Sequence, residues 1–156
     1  MNASTNAPVK RVVLVASAGG HWIQLLRLKP AFEGHDLTYI STFHSAPPEI
    51  DGSRYVCVRD ASMWDRWGLL MQAIQVLFAL LRFRPDVVVT TGAAPGFFSI
   101  VFGRLMGKRT IWIDSIANVN QLSLAGTKAK RWASHWITQW PHLSGEDGPQ
   151  YYGDVL

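Results

Sequence analysis

Arg11-Val12-Val13-Leu14-Val15-Ala16-Ser17-Ala18-Gly19-Gly20-His21-Trp22-Ile23-Gln24-Leu25-Leu26-Arg27-Leu28 is the stretch that decides the fold. It opens on a continuous apolar run, as a strand buried on both faces requires. A glycine turn follows, then apolar residues at helical spacing. Strand, tight turn and helix start make the first half of a βαβ unit. Unpaired amides at such a helix start attract anions, and glycine lets a phosphate approach the backbone. His21 adds a group that donates, accepts or moves a proton. The stretch points to a phosphate-bearing ligand at the carboxyl edge of a parallel sheet.

Outward from this unit, strand and helix signals alternate. Strands are expected at 11–17, 36–42, 54–58, 85–91, 109–114 and 135–140, and helices at about 21–32, 67–83, 95–106 and 126–133. The pattern predicts an α/β domain: a Rossmann-like parallel sheet flanked by helices. Residues 1–9 read as a flexible lead, 10–143 as the domain, and 144–156 as an irregular acidic tail rich in Gly and Pro. Met1 to Pro8 has no apolar core, so no secretory signal is expected. A chain of 156 residues buries roughly 70% of its unfolded surface and needs no metal or disulfide staple. The single Cys57 lies in an apolar strand-like run and reads as a buried structural thiol in a reducing compartment.

Residues 1–140 hold all 15 bases and eight of the 11 acids, a net +7, while 141–156 hold three acids and no base, a net −3. A basic body suits an anionic partner or a solvated arginine surface. Nucleic acid is not expected, because no helix-turn-helix, zinc-finger or aromatic RNP pattern is present. Seven Trp is high for this length and suits a membrane or protein interface.

Ligands of such sheets sit beyond the strand carboxyl ends. That rule selects three loops: 17–21, 91–96 and 114–126. The second, Thr91-Gly92-Ala93-Ala94-Pro95-Gly96, repeats the glycine turn and helix start of the first. Two helix starts facing one crevice can hold a diphosphate. Alternatively, Gly92 and Gly96 only permit tight turns. The third loop clusters Asp114, Ser115, Asn118, Asn120, Gln121 and Ser123. Asp114 is read either as an acceptor for a sugar hydroxyl or base, or as the cap that orients its loop. As a carboxylate beside His21 it would favour the charged imidazole.

Familiar nucleotide motifs are missing. A dinucleotide fingerprint needs three spaced glycines and an acid after the second strand, whereas only Gly19 and Gly20 occur and that strand ends Ile40-Ser41-Thr42-Phe43. No P-loop or nucleophile elbow is present. Histidine spacing predicts no metal, and no bound cofactor is expected.

The segment from Gly68 to Leu81 is apolar almost all round, with Gln72 and Gln75 marking one polar stripe. Fourteen residues span roughly 21 Å, short of the roughly 30 Å core of a bilayer. It is either a crossover helix buried on the sheet or a helix whose outer face dips into a membrane. In the second case Trp64, Trp67, Leu70, Ile74, Arg82 and Arg84 make the contact, with Trp22, Arg27 and Lys29 extending it.

Five motifs then occur in order: Ser17 to His21; Thr90-Thr91-Gly92-Ala93-Ala94-Pro95; Gly107 to Ala117 with the core Trp112-Ile113-Asp114-Ser115; Ser123-Leu124-Ala125-Gly126; and Gln139-Trp140-Pro141. Together, over about residues 11–143, they resemble the acceptor-side, membrane-associating subunit of the two-part N-acetylglucosaminyltransferase of dolichol-linked oligosaccharide synthesis. Subunits of bacterial capsule and exopolysaccharide glycosyltransferases are similar. The order also resembles the amino-terminal half of the transferase that makes the peptidoglycan lipid precursor, which has the two-domain GT-B architecture.

The resemblance implies the amino-terminal domain of a GT-B enzyme, with the UDP-sugar held mainly by a separate donor-binding subunit. The acceptor would be a polyprenyl-diphosphate-linked glycan, and the chain would sit peripherally on the cytoplasmic face of a membrane. His21 and Asp114 are the catalytic candidates. Ser17, Gly19, Gly20, Gly92, Pro95, Gly96, Ser115 and Asn118 would hold acceptor or phosphate. Relatives usually carry Glu where this chain has Asp114 and a base where it has Asn118. Two rivals stand beside this reading: a non-catalytic recruiter of a catalytic subunit, and a stand-alone nucleotide-binding enzyme.

Overall fold

The computed structural model describes residues 8–50 and 52–155, so positions 1–7 of the expected lead lie outside the described residues. Seven strands form one sheet: β1 (Arg11–Val15), β2 (Asp36–Ser41), β3 (Arg54–Cys57), β4 (Val87–Thr90), β5 (Arg109–Ile113), β6 (His135–Thr138) and β7 (Gln150–Tyr151). Their order is β3-β2-β1-β4-β5-β6-β7, and every recorded pairing is parallel. Helices α1 (Gly20–Leu28), α2 (Arg66–Phe83), α3 (Ala93–Leu105) and α4 (Leu124–Ala129) cover the two faces.

Alternation along β1 divides the core. Val13 and Val15 join Val76, Leu80 and Ile100 beneath α2, α3 and α4. Val12, Leu14 and Ala16 join Trp22 and Leu25 beneath α1. Trp22 is buried there, edge-on to Tyr39 and Phe43. The expectation that Trp22, Arg27 and Lys29 extend the α2 face is thereby corrected: α1 lies on the opposite side of the sheet.

The first helix ends sooner than expected because Pro30 has no N–H to continue it, and a 3-10 turn covers Lys29–Phe32. Helices α3 and α4 each start two residues before the expected position. The tail read as irregular contributes β7, which pairs with β6 (Ile137 opposite Gln150). Beyond it, Val155 donates its N–H to Gln139 Oε1 at 3.1 Å and accepts from Arg27 at 2.7 Å. Two residues are too short a run to show in a sequence pattern, but pairing with an existing sheet edge suffices to order them. Cys57, read as buried, is exposed, because β3 is an edge strand.

The α2 stripe is also corrected. Gln72 is fully buried and donates to the Arg59 carbonyl at 2.6 Å, while Gln75 accepts from the Arg59 N–H at 2.7 Å. The glutamines point inward because the chain leaving β3 has backbone groups that must be paired. Asp65 caps the helix, accepting from Gly68 N–H at 2.8 Å.

Candidate active site at the switch point

Strand order reverses between β1 and β4: β1 leads into α1 on one face, and β4 into α3 on the other. Ligands of open parallel sheets bind at such a point, beyond the carboxyl ends. The turns Ser17–His21 and Thr91–Gly96 meet there. His21 Nδ1 lies 2.8 Å from the Thr91 carbonyl oxygen, and Thr91 Oγ1 donates to the His21 carbonyl at 2.7 Å. A carbonyl only accepts, so Nδ1 carries the proton. In the neutral ring, Nε2 then holds the lone pair and has no hydrogen-bond partner among the described residues.

Backbone conformation sets this geometry. Gly19, at the start of α1, has φ +91°, and Gly92, at the start of α3, has φ +125°. Ala93 also adopts positive φ, +64°, a strained state for a residue with a β-carbon. Gly96 packs on Thr90, where a β-carbon would meet Oγ1 at 2.1 Å. Thr90 Oγ1 in turn accepts from Gly92 N–H at 3.0 Å. Pro95 is buried in the first turn of α3, and Ser17 is half-buried. Gly19 and Gly20 are exposed, so the backbone at the start of α1 is open to solvent. Sequence reading missed Thr42, whose hydroxyl accepts from Ala18 N–H at 2.9 Å and braces the first turn.

The third loop is built differently. Asp114 is 1% exposed, and its carboxylate is occupied. Oδ1 accepts from Ser123 Oγ at 2.5 Å and Trp112 Nε1 at 3.1 Å; Oδ2 accepts from Ser123 N–H at 2.9 Å and Asn118 Nδ2 at 3.3 Å. Of the two readings, the geometry favours the loop-orienting one. The histidine partner is the Thr91 carbonyl rather than this carboxylate, which corrects the expected pairing. Ser115 is buried as well, its Oγ accepting from Gln24 Nε2 at 3.0 Å. Gln24 Oε1 accepts from Ile116 N–H at 3.1 Å and Gln139 Nε2 at 2.9 Å. This buried network joins α1, the third loop and the end of β6. Gln24 and Gln139 were not among the expected site residues, since isolated glutamines carry no spacing signal.

No protein-family model matches the chain. The curated UDP-N-acetylglucosamine transferase subunit ALG14 of Yarrowia lipolytica is 30% identical over 81 aligned residues, covering 48% of this chain and 38% of that protein. The chain therefore spans well under half of that relative's length. Among solved structures, MurG of Acinetobacter baumannii superposes with a TM-score of 0.75 at 12% identity, over 94% of this chain and 46% of that one. The UDP-N-acetylglucosamine 2-epimerase of Rickettsia bellii superposes with a TM-score of 0.71 at 12% identity, over 95% and 46%. The fold is that of a GT-B amino-terminal half. The resemblance drawn from the motifs is met by these relatives.

On this GT-B half, the outer face of α2 is apolar. Trp64 is 93% exposed and Trp67 78%, and Leu70, Met71, Ile74, Phe78 and Leu81 continue the face along the helix. Arg82 and Arg84 are exposed at its end. One side of the helix is buried on the sheet and the other is bare. No helix among the described residues is long and apolar enough to cross a membrane. Among the same residues, no group of three His, Cys, Asp or Glu is placed to hold a metal.

Proposed function

We propose that this chain is the acceptor-binding, membrane-associating subunit of a heteromeric GT-B glycosyltransferase. The reaction transfers a sugar from a UDP-sugar to a polyprenyl-diphosphate-linked saccharide, in polysaccharide or oligosaccharide biosynthesis. The observation that carries this reading is His21 seated across the switch point, Nδ1 on Thr91 and Nε2 unpaired, in a chain with the fold of half a GT-B enzyme. The name of the ALG14 relative, a subunit of a UDP-N-acetylglucosamine transferase, supports a second subunit and suggests that donor as the first to try.

In this reading the first turns of α1 and α3 supply amides to the acceptor diphosphate. The partner subunit closes the cleft and brings the UDP-sugar. The acceptor hydroxyl oxygen attacks the anomeric carbon from the face opposite UDP. A new C–O bond forms, the bond to UDP breaks with its electron pair leaving on the diphosphate, and His21 Nε2 takes the hydroxyl proton. Asp114, Ser115 and Asn118 act as positioning residues that hold the third loop. The exposed face of α2 lies against the cytoplasmic face of the membrane, with Arg82 and Arg84 near anionic headgroups.

The test is reconstitution with the donor-binding subunit, UDP-N-acetylglucosamine and a polyprenyl-diphosphate saccharide. A base at His21 predicts that His21→Ala lowers kcat with the complex intact. A diphosphate ligand there predicts a raised KM instead. Unchanged turnover would favour the non-catalytic recruiter, for which the occupied carboxylate of Asp114 also speaks. Tight binding of a UDP-sugar or NAD to the lone chain would favour the stand-alone enzyme.

A further inference from the structure

Beyond the switch point, the α2, α3 and α4 side of the sheet carries an apolar groove of about 620 Å³. Its walls include Met63 from the loop before α2, Leu69 of α2, Ala94, Phe97 and Phe98 of α3, and Leu124 of α4. The volume lies within the roughly 300–1,000 Å³ of small-molecule sites. The lining of the groove includes the first turn of α3, at Ala93 and Ala94, directly after the glycine on which His21 packs. It also includes Met63, itself exposed and next in the chain to the bare Trp64. Lys128 is the one charged residue lining the groove, and its ammonium has no partner among the described residues.

An apolar trough with a cation on its wall, lined in part by a helix start whose amides favour anions, matches an amphiphile with an anionic head. From this continuity and charge complementarity, we infer that the groove holds the first isoprene units of the polyprenyl diphosphate acceptor. The remaining hydrocarbon leaves past Met63 toward the α2 face. This inference rests on the proposed function and deepens it, assigning the lipid half of the acceptor to a groove of its own. The short walls at Ala94 and Ala125 leave room for the methyl branches of an isoprenoid. Burying even a few of its carbons contributes enough to make binding depend on chain length.

The test is calorimetry on the full chain with inorganic diphosphate, geranyl diphosphate, farnesyl diphosphate and dodecyl diphosphate. Affinity is expected to rise along the prenyl series, by about tenfold or more from inorganic to farnesyl diphosphate. Farnesyl is expected to outbind straight-chain dodecyl. The double variant Met63→Ser, Leu124→Ser alters two exposed side chains. Folding is therefore retained, and the ratio of farnesyl to inorganic diphosphate affinity falls about threefold or more. Diphosphate binding that is lost in His21→Ala but independent of chain length overturns the groove and leaves the proposed function standing. An unchanged ratio in the double variant, or equal binding of dodecyl, likewise overturns the isoprenoid assignment alone. Absence of diphosphate binding to the wild-type chain overturns both.

Discussion

A β-carbon built on Gly92 would lie 2.9 Å from Cε1 of His21. The imidazole of the first turn thus rests directly on the backbone of the second. Gly92 also has φ +125°, which side chains rarely adopt. Its glycine is needed twice, once for the turn and once for the ring.

If His21 moves the acceptor proton, His21→Ala should lower kcat by about 10²- to 10⁴-fold in the reconstituted complex. Gly92→Ala should reproduce much of that loss by displacing the ring. Steady-state kinetics on both variants checks this. A fully active Gly92→Ala protein would show that the seat of the ring is irrelevant to turnover.

Asp114→Asn should act mainly on stability. An amide offers one acceptor oxygen where the carboxylate serves four donors, and its NH₂ would face the Ser123 or Asn118 donors. A loss of about 2–4 kcal/mol is expected from leaving buried donors unpaired. Urea unfolding should show a lower midpoint at an unchanged slope. A variant as stable as wild type but inactive would return Asp114 to the chemistry.

Trp67→Glu combined with Phe78→Glu should weaken sedimentation with anionic vesicles by about tenfold or more, given the cost of placing charge in the interface. Both side chains are exposed, so the thermal midpoint should hardly move. Salt should weaken the wild-type interaction too, since Arg82 and Arg84 are screened as the Debye length shortens. Equal sedimentation of variant and wild type would remove α2 from the contact.

At the opposite edge of the sheet, Asp86 accepts from the Arg11 guanidinium at 2.9 and 3.2 Å and from its backbone N–H at 2.9 Å. These bonds hold its carboxyl at about 2, below the ordinary 3.8. A depressed folded value stabilises the protein above the unfolded value, and that contribution is lost as pH falls through the folded one. Asp86→Asn should therefore be less stable than wild type by a constant amount above about pH 5, with the gap closing toward about pH 2. The gap should be small, because the pair is largely exposed. Chemical denaturation at several pH values measures it, and a gap that persists at the acid end would count against the ion pair.

Much of the geometry of the candidate site was legible because it is local. Ser17–His21 and Thr91–Gly96 each announce a strand, a glycine turn and a helix start within a few residues. That His21 would lean on Gly92 rather than on Asp114 was not legible. Nothing in the spacing of residues 21, 92 and 114 ranks those contacts, and the strand order does. The polar stripe of Gln72 and Gln75 misled for a related reason: a glutamine looks solvated until the backbone it satisfies, at Arg59, is known.

By itself the sequence determined the α/β class, the alternation of strands and helices, the three loops at the carboxyl edge and the order of motifs that marks the family resemblance. These follow from periodicity and turn chemistry, which act over a few residues. Only the tertiary structure decided that β1 and β4 are neighbours, that α2 turns its glutamines inward and its tryptophans out, and that Asp114 is consumed by its own loop. Each depends on which polar groups the folded chain brings together, whether across the sheet or within one loop, and burial makes that pairing obligatory without writing the partner into the local pattern.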